Sequence, residues 1–345
     1  MTGLPSRLLV TGGAGFIGSA FVRRTLDRHP DVRITVLDKL TYAGNLANLA
    51  PVADDSRYRF VRGDINDAEV VDAIAAEVDA IVNFAAESHV DRSIEEPDAF
   101  IQTDVHGTFT LLEAARRHGH HRYLQISTDE VYGNVPTGSS LEGDPLRPRS
   151  PYSASKAGGD LLVQAYHTTY GVPATITRAS NNFGPYQYPE KVIPLFVTNA
   201  IDGEPLPLYG DGQQIRDWLY VDDHCDAIEL VLGTGEPGEI YNVGGGNELA
   251  NLDLTRRILE LTGRDLDLVR RVPDRAGHDR RYSVDCAKLR GLGWEPAHGF
   301  DEALRETVDW YRDHTDWWRP LKGGEYLDYY RRQYGDRLAA STAVE

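Results

Sequence analysis

Cysteine is scarce in this sequence, since Cys225 and Cys286 are the only two in 345 residues. They lie far apart and lack the spacing of zinc ligands, so the sequence predicts neither a disulfide framework nor a cysteine-based metal site. Both are typical of small buried apolar residues. The segment His118-Gly-His-His121 also lacks the spacing of ligands on one helix face, and we interpret it as a helix C-terminus capped by Gly119. No metal site is expected.

Positive charge is also in short supply, with 36 Lys and Arg against 53 Asp and Glu and a formal net charge of −17. This balance argues against a nucleic-acid surface, and it means that an anionic substrate must be met by a local cluster of cations. No apolar run reaches the roughly 18 residues of a membrane span, and no charged-then-apolar leader opens the sequence. The sequence therefore predicts a cytoplasmic protein without membrane or nucleic-acid partners.

A glycine-rich turn near the amino terminus separates an apolar strand from an amphipathic helix. Glycines at 12, 15 and 18 form a dinucleotide fingerprint with Gly-x-x-Gly-x-x-Gly spacing. Gly12 allows the tight turn, Gly15 lets backbone approach a pyrophosphate, and Gly18 allows close packing of helix on strand. Asp38 closes the next apolar strand, where a carboxylate accepts the ribose hydroxyls and repels an added phosphate. The pattern predicts NAD rather than NADP.

Polar side chains follow the apolar stretch 122–126, which is typical of a buried strand. Thr128, Asp129 and Glu130 would leave the carboxyl end of this strand, where open α/β sheets place their ligands. Consecutive residues of a straight strand point to opposite faces, so both carboxyls can reach one substrate only if the chain turns after Thr128. Burial and like charge would then push their pKa values apart, so that one carboxyl starts protonated and the other ionised.

A second polar segment begins at Ser150, which fits a helix N-cap with Pro151 as the first helical residue. Tyr152 and Lys156 then lie one turn apart on the same face. Such a pair alone is common on helix surfaces, but together with a dinucleotide fingerprint it indicates catalysis. A lysine ammonium and a cationic nicotinamide would both favour the phenolate, so Tyr152 is predicted to act as a general base.

Strand-like and helix-like patterns alternate up to about residue 180, which indicates a parallel sheet with right-handed crossovers. We therefore predict an α/β fold, a Rossmann-type doubly wound parallel sheet over residues 1–180 that binds NAD. Residues 181–345 are predicted to form a smaller mixed α/β region that binds mainly the substrate, with strands or helices exchanged between the two regions. Helices are expected near 98–118 and 152–170, and the stretch from Trp317 is expected to be a frayed tail. The strand candidates are 7–11, 32–38, 58–62, 79–85, 122–127 and 174–178.

Five motifs together resemble the extended short-chain dehydrogenase/reductase group and, more narrowly, its dTDP-glucose 4,6-dehydratase branch. They occupy residues 11–18, 38–45, 85–93 and 127–133 and the pair Tyr152 and Lys156. The resemblance runs from about residue 7 to about residue 311 with the motifs in order. The Asp-Glu pair after Thr128 is its most specific feature, because sister epimerases and decarboxylases of the group carry other residues there.

The resemblance implies further binding residues. Asp64 would meet the adenine amino group, although its spacing fits equally well a helix N-cap for the segment that starts near Asp67. Tyr209 would stack on the pyrimidine. The remaining cofactor contacts implied by the resemblance are Phe16, Ile17, Lys39, Thr41, Ile65, Ala85, Ala86, Ser88 and Thr103, besides Tyr152 and Lys156. On the substrate side it implies Ser88, Thr128, Asn181, Lys191, Leu195, Pro207, Arg216, Asn251, Arg275, His278 and Tyr282, of which Lys191, Arg216, Arg275 and His278 would meet the diphosphate.

The same resemblance implies the reaction and the assembly. The substrate would be dTDP-glucose, oxidised at carbon 4, dehydrated across carbons 5 and 6 and reduced at carbon 6, with NAD held as a prosthetic group. Glu130 would be the base and Asp129 the acid. The helices near 98–118 and 152–170 would form a four-helix bundle in a homodimer. Two alternatives stay open, namely a related epimerase or dehydratase of another nucleotide sugar, and a non-catalytic NAD sensor.

Overall fold

A central sheet of seven parallel strands organises the computed structural model, which describes residues 3–343. Its six amino-terminal strands coincide with the predicted stretches to within two residues at each end, so the Rossmann-type prediction is confirmed. The strands of this sheet are β1 (Arg7–Thr11), β2 (Arg33–Asp38), β3 (Tyr58–Arg62), β4 (Ala80–Asn83), β5 (Arg122–Thr128), β6 (Ala174–Ala179) and β10 (Ile240–Val243), in the order β10-β6-β5-β4-β1-β2-β3.

Two small sheets lie in the carboxyl-terminal half. One has the order β11-β9-β7 and the other β13-β12-β8, with ranges β7 (Asn181–Phe183), β8 (Leu206–Tyr209), β9 (Ile215–Tyr220), β11 (Glu248–Ala250), β12 (Val269–Val272) and β13 (Thr342–Ala343). The helices are α1 (Phe16–Arg28), α2 (Ala68–Ala75), α3 (Val90–Glu95), α4 (Pro97–Phe100), α5 (Thr108–His118), α6 (Pro151–Tyr170), α7 (Val192–Asp202), α8 (Val221–Thr234), α9 (Asn251–Thr262), α10 (Ala287–Gly291), α11 (Phe300–Asp313), α12 (Thr315–Trp318) and α13 (Glu325–Ala339).

Helices cover both faces of the large sheet because successive strand residues point to opposite sides. In β1, Leu8 and Val10 pack into a core with α1 and α8, whereas Leu9 packs into a separate core with α2, α5 and α6. All three side chains are fully buried. This two-sided burial explains why the strands read as continuous apolar runs and is the arrangement of a doubly wound fold.

The two halves of the chain share the large sheet. Strand β10 pairs in parallel with β6, and α8 packs against α1, where Arg24 forms ion pairs with Asp222 and with Asp226. A third core, formed mainly by α7, α9, α11 and the small sheets, lies within residues 183–334. The chain therefore crosses back into the first region after residue 180, while the division into regions at that residue stays a prediction.

The predicted frayed tail is wrong for the described residues. From Thr315 the chain forms α12, and from Glu325 it forms α13. Trp318 of α12 is buried, and so are Tyr326, Tyr329 and Tyr334 of α13, whose spacing places their rings on the side of the helix that packs on the rest of the protein. The composition is polar on average, but the periodicity is that of a packed helix.

Of the other local expectations, those for Gly119 and the cysteines are confirmed, and that of one helix near 98–118 is corrected. Gly119 ends α5 with a positive φ of 65°, and Cys225 and Cys286 are free thiols in buried positions. The predicted helix near 98–118 is interrupted, since Ile101–Gly107 forms a π-helical segment between α4 and α5. Among residues 3–343, no helix combines the length and apolarity needed to cross a membrane.

Candidate active site

The glycine-rich turn shapes one end of a cleft along the carboxyl edge of the large sheet. Gly12 has a φ of 65°, and a Cβ there would come within 2.6 Å of the backbone nitrogen of Ala85. A Cβ on Gly18 would clash with the carbonyl oxygen of Gly12, and Gly15 is the N-cap of α1. The amino terminus of α1 can therefore face an anionic group at close range without side chains in between.

Asp38 stands at the end of β2 beside this turn. One carboxylate oxygen accepts a hydrogen bond from the backbone N–H of Ala14 at 3.0 Å and the other accepts from that of Leu40 at 2.8 Å. Burial raises the pKa of Asp38, whereas the two amide donors oppose the shift. Each oxygen keeps a second acceptor site, so the carboxylate can still receive a ribose diol.

One side of the cleft is closed by residues that follow β2, β3 and β4. The Lys39 ammonium lies 3.3 Å from the Thr103 hydroxyl and 3.7 Å from both Asp64 and Glu87. The alternative role for Asp64 does not apply, because the N-cap of α2 is Asp67. All predicted cofactor residues line this one cleft, namely Gly12, Gly15, Phe16, Ile17, Gly18, Asp38, Lys39, Thr41, Asp64, Ile65, Ala85, Ala86, Ser88, Thr103, Tyr152 and Lys156.

The chain turns directly after β5, as the two-carboxyl hypothesis requires. Asp129 opens a 3-10 turn, capped by the Thr128 hydroxyl, which accepts from the Glu130 N–H at 3.2 Å. The Asp129 carboxyl is 3% exposed, and its Oδ2 has no hydrogen-bond partner among the described residues. Burial, then Glu130 and Asp217, raise the pKa of Asp129 well above its usual range. This environment therefore favours the neutral form of the Asp129 carboxyl.

The Tyr-Lys pair lies on α6, which begins as predicted with Ser150 as the N-cap and Pro151 in the first turn. The Lys156 ammonium is buried and donates to the Ile126 carbonyl at 2.8 Å. Burial, then the carboxylates of Glu130 and Asp104, raise the pKa of Tyr152 well above its usual range. The phenol of Tyr152 therefore favours its neutral form, and a further positive charge nearby would favour the phenolate.

The predicted substrate residues fall into two groups. Ser88, Thr128, Asn181 and Lys191 line the cleft, where the Lys191 ammonium donates to the Ser88 carbonyl. The others do not line it: Leu195 is buried in the carboxyl-terminal core, Pro207 lies in β8, Asn251 begins α9, and Tyr209, Arg216, Arg275, His278 and Tyr282 form an adjoining wall.

This adjoining wall is coupled to the cleft. The Tyr282 hydroxyl lies 3.4 Å from Glu130 Oε2, and the Arg216 guanidinium lies over the Tyr282 ring at 4.3 Å from its centroid. Burial lowers the pKa of Lys191 and of Arg216, and Arg275 lowers both further. Lys191, Arg216 and Arg275 therefore lie close enough to disfavour one another's charge, whereas His278 is not a cation near neutral pH, because burial and the nearby Arg275 lower its pKa to about 4.

Sequence reasoning missed Asp104, Asp91 and Asp217. Asp104 is fully buried in the π-helical segment and accepts from the Ser155 hydroxyl at 2.6 Å. Asp91 is buried at the start of α3 and binds Tyr209 and Arg275. Asp91 lies within the motif at residues 85–93, but nothing in the sequence around these three aspartates reveals their partners.

The large sheet is of the Rossmann type, and its glycine turn, the acidic residue at the end of β2 and the Tyr-Lys pair all face the same cleft. This combination defines an NAD-dependent enzyme of the short-chain dehydrogenase/reductase class. The protein-family model described as GDP-mannose 4,6 dehydratase matches residues 9–307. The dTDP-glucose 4,6-dehydratase of Streptomyces niveus is 56% identical over 321 residues, which cover 92% of this chain and 96% of that protein. The chain belongs to the dTDP-glucose 4,6-dehydratase family.

Solved structures give the same result. The dTDP-glucose 4,6-dehydratase DesIV of Streptomyces venezuelae, crystallised with NAD bound, superimposes with a TM-score of 0.90 at 57% identity, over 92% of this chain and 100% of its own. The UDP-glucose 4-epimerase of Thermus thermophilus, solved as its NAD complex, reaches a TM-score of 0.83 at 35% identity, over 89% of this chain and 99% of its own. The fold is therefore shared with epimerases, while the sequence is closer to the dehydratases.

Proposed function

We propose that this protein converts dTDP-glucose to dTDP-4-keto-6-deoxyglucose with NAD as a bound cofactor. The observation that carries the proposal is the pair Asp129 and Glu130, which sit side by side on a turn but in different environments. Loss of water across carbons 5 and 6 needs one group to remove a proton and another to supply one. A 4-epimerase needs no such pair, so the carboxyls favour dehydration over the alternative.

The residues of the cleft fit NAD. The turn is packed too closely for a Cβ on Gly12 or Gly18, which would meet the backbone of Ala85 and of Gly12, so the amino terminus of α1 borders the cleft directly, and Asp38 faces the position of a ribose diol. Within the described part of the chain, the hydrogen-bond partners of Asp38 include no cationic side chain that could bind a 2′-phosphate. When bound, NAD would accept a hydride from carbon 4 of the sugar and return it to carbon 6 as carbon 5 regains a proton, so the cofactor would be regenerated in every cycle.

Tyr152 removes the proton from the carbon 4 hydroxyl as that carbon is oxidised. Its phenol is half-buried and shares the cleft with Thr128, which orients the same hydroxyl. The Lys156 ammonium supplies a fixed positive charge on the same helix face, and a cationic ring of the cofactor adds a second. Together they offset the negative charges of Glu130 and Asp104, which otherwise keep the phenol protonated.

Glu130 then takes the carbon 5 proton, which the new ketone at carbon 4 makes acidic. Asp129 donates its proton to the hydroxyl that leaves carbon 6, so that water departs and no free hydroxide forms in a buried site. The raised pKa of Asp129 supports this assignment. The diphosphate is met by the cations Lys191, Arg216 and Arg275 and by the neutral imidazole of His278, and the three cations give a strongly acidic protein a local positive region for an anionic substrate.

The assembly that we propose is a cytoplasmic homodimer. Large apolar side chains are exposed at Ile101 and Phe109 of the π-helical segment and α5, and at Leu161 and Tyr170 of α6. These two helical elements pack against each other, and a second copy of the same pair would complete a four-helix bundle and cover the apolar groups.

Incubation with a panel of nucleotide sugars tests the function. The purified protein is given dTDP-glucose, UDP-glucose or GDP-mannose, and the products are analysed by mass spectrometry and NMR. We expect dTDP-glucose to lose the mass of one water and to show a carbon 4 ketone and a carbon 6 methyl group. Isomerisation without loss of mass would favour the epimerase alternative, and selective dehydration of another nucleotide sugar would overturn the substrate assignment.

A further inference from the structure

The hydroxyl of Tyr209 is held by three side chains from two distant elements. It donates to Asp91 Oδ2 at 3.1 Å, and it accepts from Gln333 Nε2 at 2.6 Å and from Arg337 Nη1 at 3.0 Å. A phenolic hydroxyl has one proton to donate and two lone pairs, so these three bonds use its full capacity. Only the ring of Tyr209 remains available to a ligand.

Asp91 connects this hydroxyl to a cation. Its Oδ1 lies 3.4 Å from Arg275 Nη1, and the carboxylate is 4% exposed. Burial would raise the pKa of Asp91, but His89, Arg275, the Tyr209 hydroxyl and Arg337 outweigh it and keep the group ionised. One buried carboxylate therefore fixes two of the residues that are predicted to meet the nucleotide.

Helix α13, which supplies Gln333 and Arg337, is anchored independently of these bonds. The Tyr326 hydroxyl donates to the Pro189 carbonyl at 3.2 Å, and the Tyr329 hydroxyl lies 3.1 Å from His89 Nδ1. The rings of Tyr329 and Tyr334 are buried. Because the helix is fixed by its aromatic face, its two polar side chains are presented in a defined position.

We infer that the carboxyl-terminal helix α13 is a positioning element whose residues Gln333 and Arg337 orient Tyr209, and through Asp91 also Arg275, for binding of the nucleotide part of the substrate. The inference rests on the proposed function, which makes Tyr209 and Arg275 nucleotide contacts. The helix lies outside residues 9–307, which the family model matches, so it adds to the shared site from a separate segment of the chain. Gln333 and Arg337 are positioning residues and touch no reacting atom.

Binding of dTDP alone tests the inference without the chemical step. Calorimetry is performed on the NAD-loaded wild type, on Arg337→Met and on Gln333→Leu, and the KM and kcat for dTDP-glucose are measured alongside. We expect the affinity for dTDP to fall and the KM to rise about tenfold in Arg337→Met, the factor for one charged hydrogen bond. The kcat should stay within about twofold, since the reacting atoms lie elsewhere.

Two further variants separate positioning from folding. Arg331→Met removes an arginine from the exposed face of the same helix, where its side chain is 75% exposed, and should leave dTDP binding unchanged. Arg337→Lys keeps a cationic donor and should restore most of the affinity. The inference is overturned if Arg337→Met binds dTDP as the wild type does, or if Arg331→Met loses as much affinity. A wild type that binds dTDP but does not dehydrate dTDP-glucose would instead refute the proposed function and leave the positioning role standing.

Discussion

At the scale of single residues, the two neighbouring carboxyls of the site differ because of what surrounds them. Asp129 points into protein, where Oδ2 lacks a partner among the described residues and Glu130 and Asp217 add negative charge. Glu130 is half-buried and faces the Tyr282 hydroxyl. The sequence places both carboxyls after a strand, but the charge of Asp217 comes from a residue 88 positions away. Their division of labour therefore depends on the tertiary structure.

Separate substitution of the two carboxyls tests this division. In Glu130→Gln the carbon 4 ketone should form, visible as reduced nicotinamide absorbance, without exchange of the carbon 5 hydrogen for solvent deuterium. In Asp129→Asn that exchange should persist, while loss of water slows by about 10²–10⁴-fold, the usual contribution of a general acid. Mass spectrometry of recovered sugar gives both readings. Exchange at the wild-type rate in Glu130→Gln, together with its absence in Asp129→Asn, would reverse the two roles.

Asp38 carries the prediction about the cofactor. Its carboxylate binds the backbone at Ala14 and Leu40 and faces the ribose position, so Asp38→Ala removes both a ligand contact and a clamp on the glycine turn. We expect the binding free energy of NAD to weaken by roughly 1.5–3 kcal/mol, the contribution of a charged hydrogen bond. We also expect discrimination against NADP to fall. Fluorescence titration with both cofactors measures this. Equal affinity of the wild type for NAD and NADP would contradict the role of Asp38.

At the scale of secondary structure, the interrupted helix before α5 has chemical consequences. The π-helical segment Ile101–Gly107 places Thr103 in the cleft and buries Asp104 behind it. Burial raises the pKa of Asp104 to about 6, although Lys156, the Ser155 hydroxyl, the Glu87 N–H and Lys39 oppose the shift. The sequence predicted one continuous helix here, because a π turn leaves the apolar pattern almost unchanged. The buried carboxyl could not be predicted without its neighbours.

The buried position of Asp104 predicts a pH-dependent stability. A carboxyl whose folded pKa is raised from 3.8 to about 6 favours the native state in its protonated form, so its contribution is lost as the pH rises through this window. About two pKa units correspond to roughly 3 kcal/mol. Asp104→Asn should therefore gain in melting temperature relative to the wild type between pH 4 and pH 7.

Calorimetric melting curves at several pH values measure this gain. Asp98→Asn, at an exposed position in the preceding α4, is the matched control and should show a constant difference from the wild type. If the difference between Asp104→Asn and the wild type were independent of pH, Asp104 would not be the titrating group.

For the carboxyl-terminal helix α13, the sequence contains the signal for the helix but not for its contacts. The stretch after Trp317 contains enough charge to look like a solvated tail, yet its tyrosines at 326, 329, 330 and 334 follow the helical period. The partners of these rings, such as His89 and Pro189, lie more than a hundred residues away in sequence. Periodicity could have predicted the helix, but only the fold shows where it docks.

At the scale of the whole molecule, the parallel sheet and an exchange of elements between the two regions were predicted, but the strand that makes the exchange was not. Six strands with alternating helices indicate a parallel sheet, and short right-handed crossovers then determine most of the order. The seventh strand, β10, comes from the region predicted to bind substrate, and α8 closes the core beside α1. The apolar run of β10 is as short as those of β8 and β12, so only the pairing of β10 with β6 identifies it as part of the large sheet.

The exposed apolar surface of α6 carries the last prediction. Leu161 is 57% exposed at a helix position that the proposed four-helix bundle would cover, so Leu161→Glu would place an unpaired carboxylate in an apolar interface. We expect the wild type to sediment at twice the 38.4 kDa of the chain, and the variant to dissociate at the same concentration.

Leu141→Glu is the control, because Leu141 is 54% exposed but lies outside both helices. Circular dichroism establishes that each variant keeps its fold. A monomeric wild type, or a Leu161→Glu variant that stays dimeric, would contradict the bundle; dissociation of Leu161→Glu alone would locate the interface on this face, since both variants add the same charge to a similarly exposed leucine.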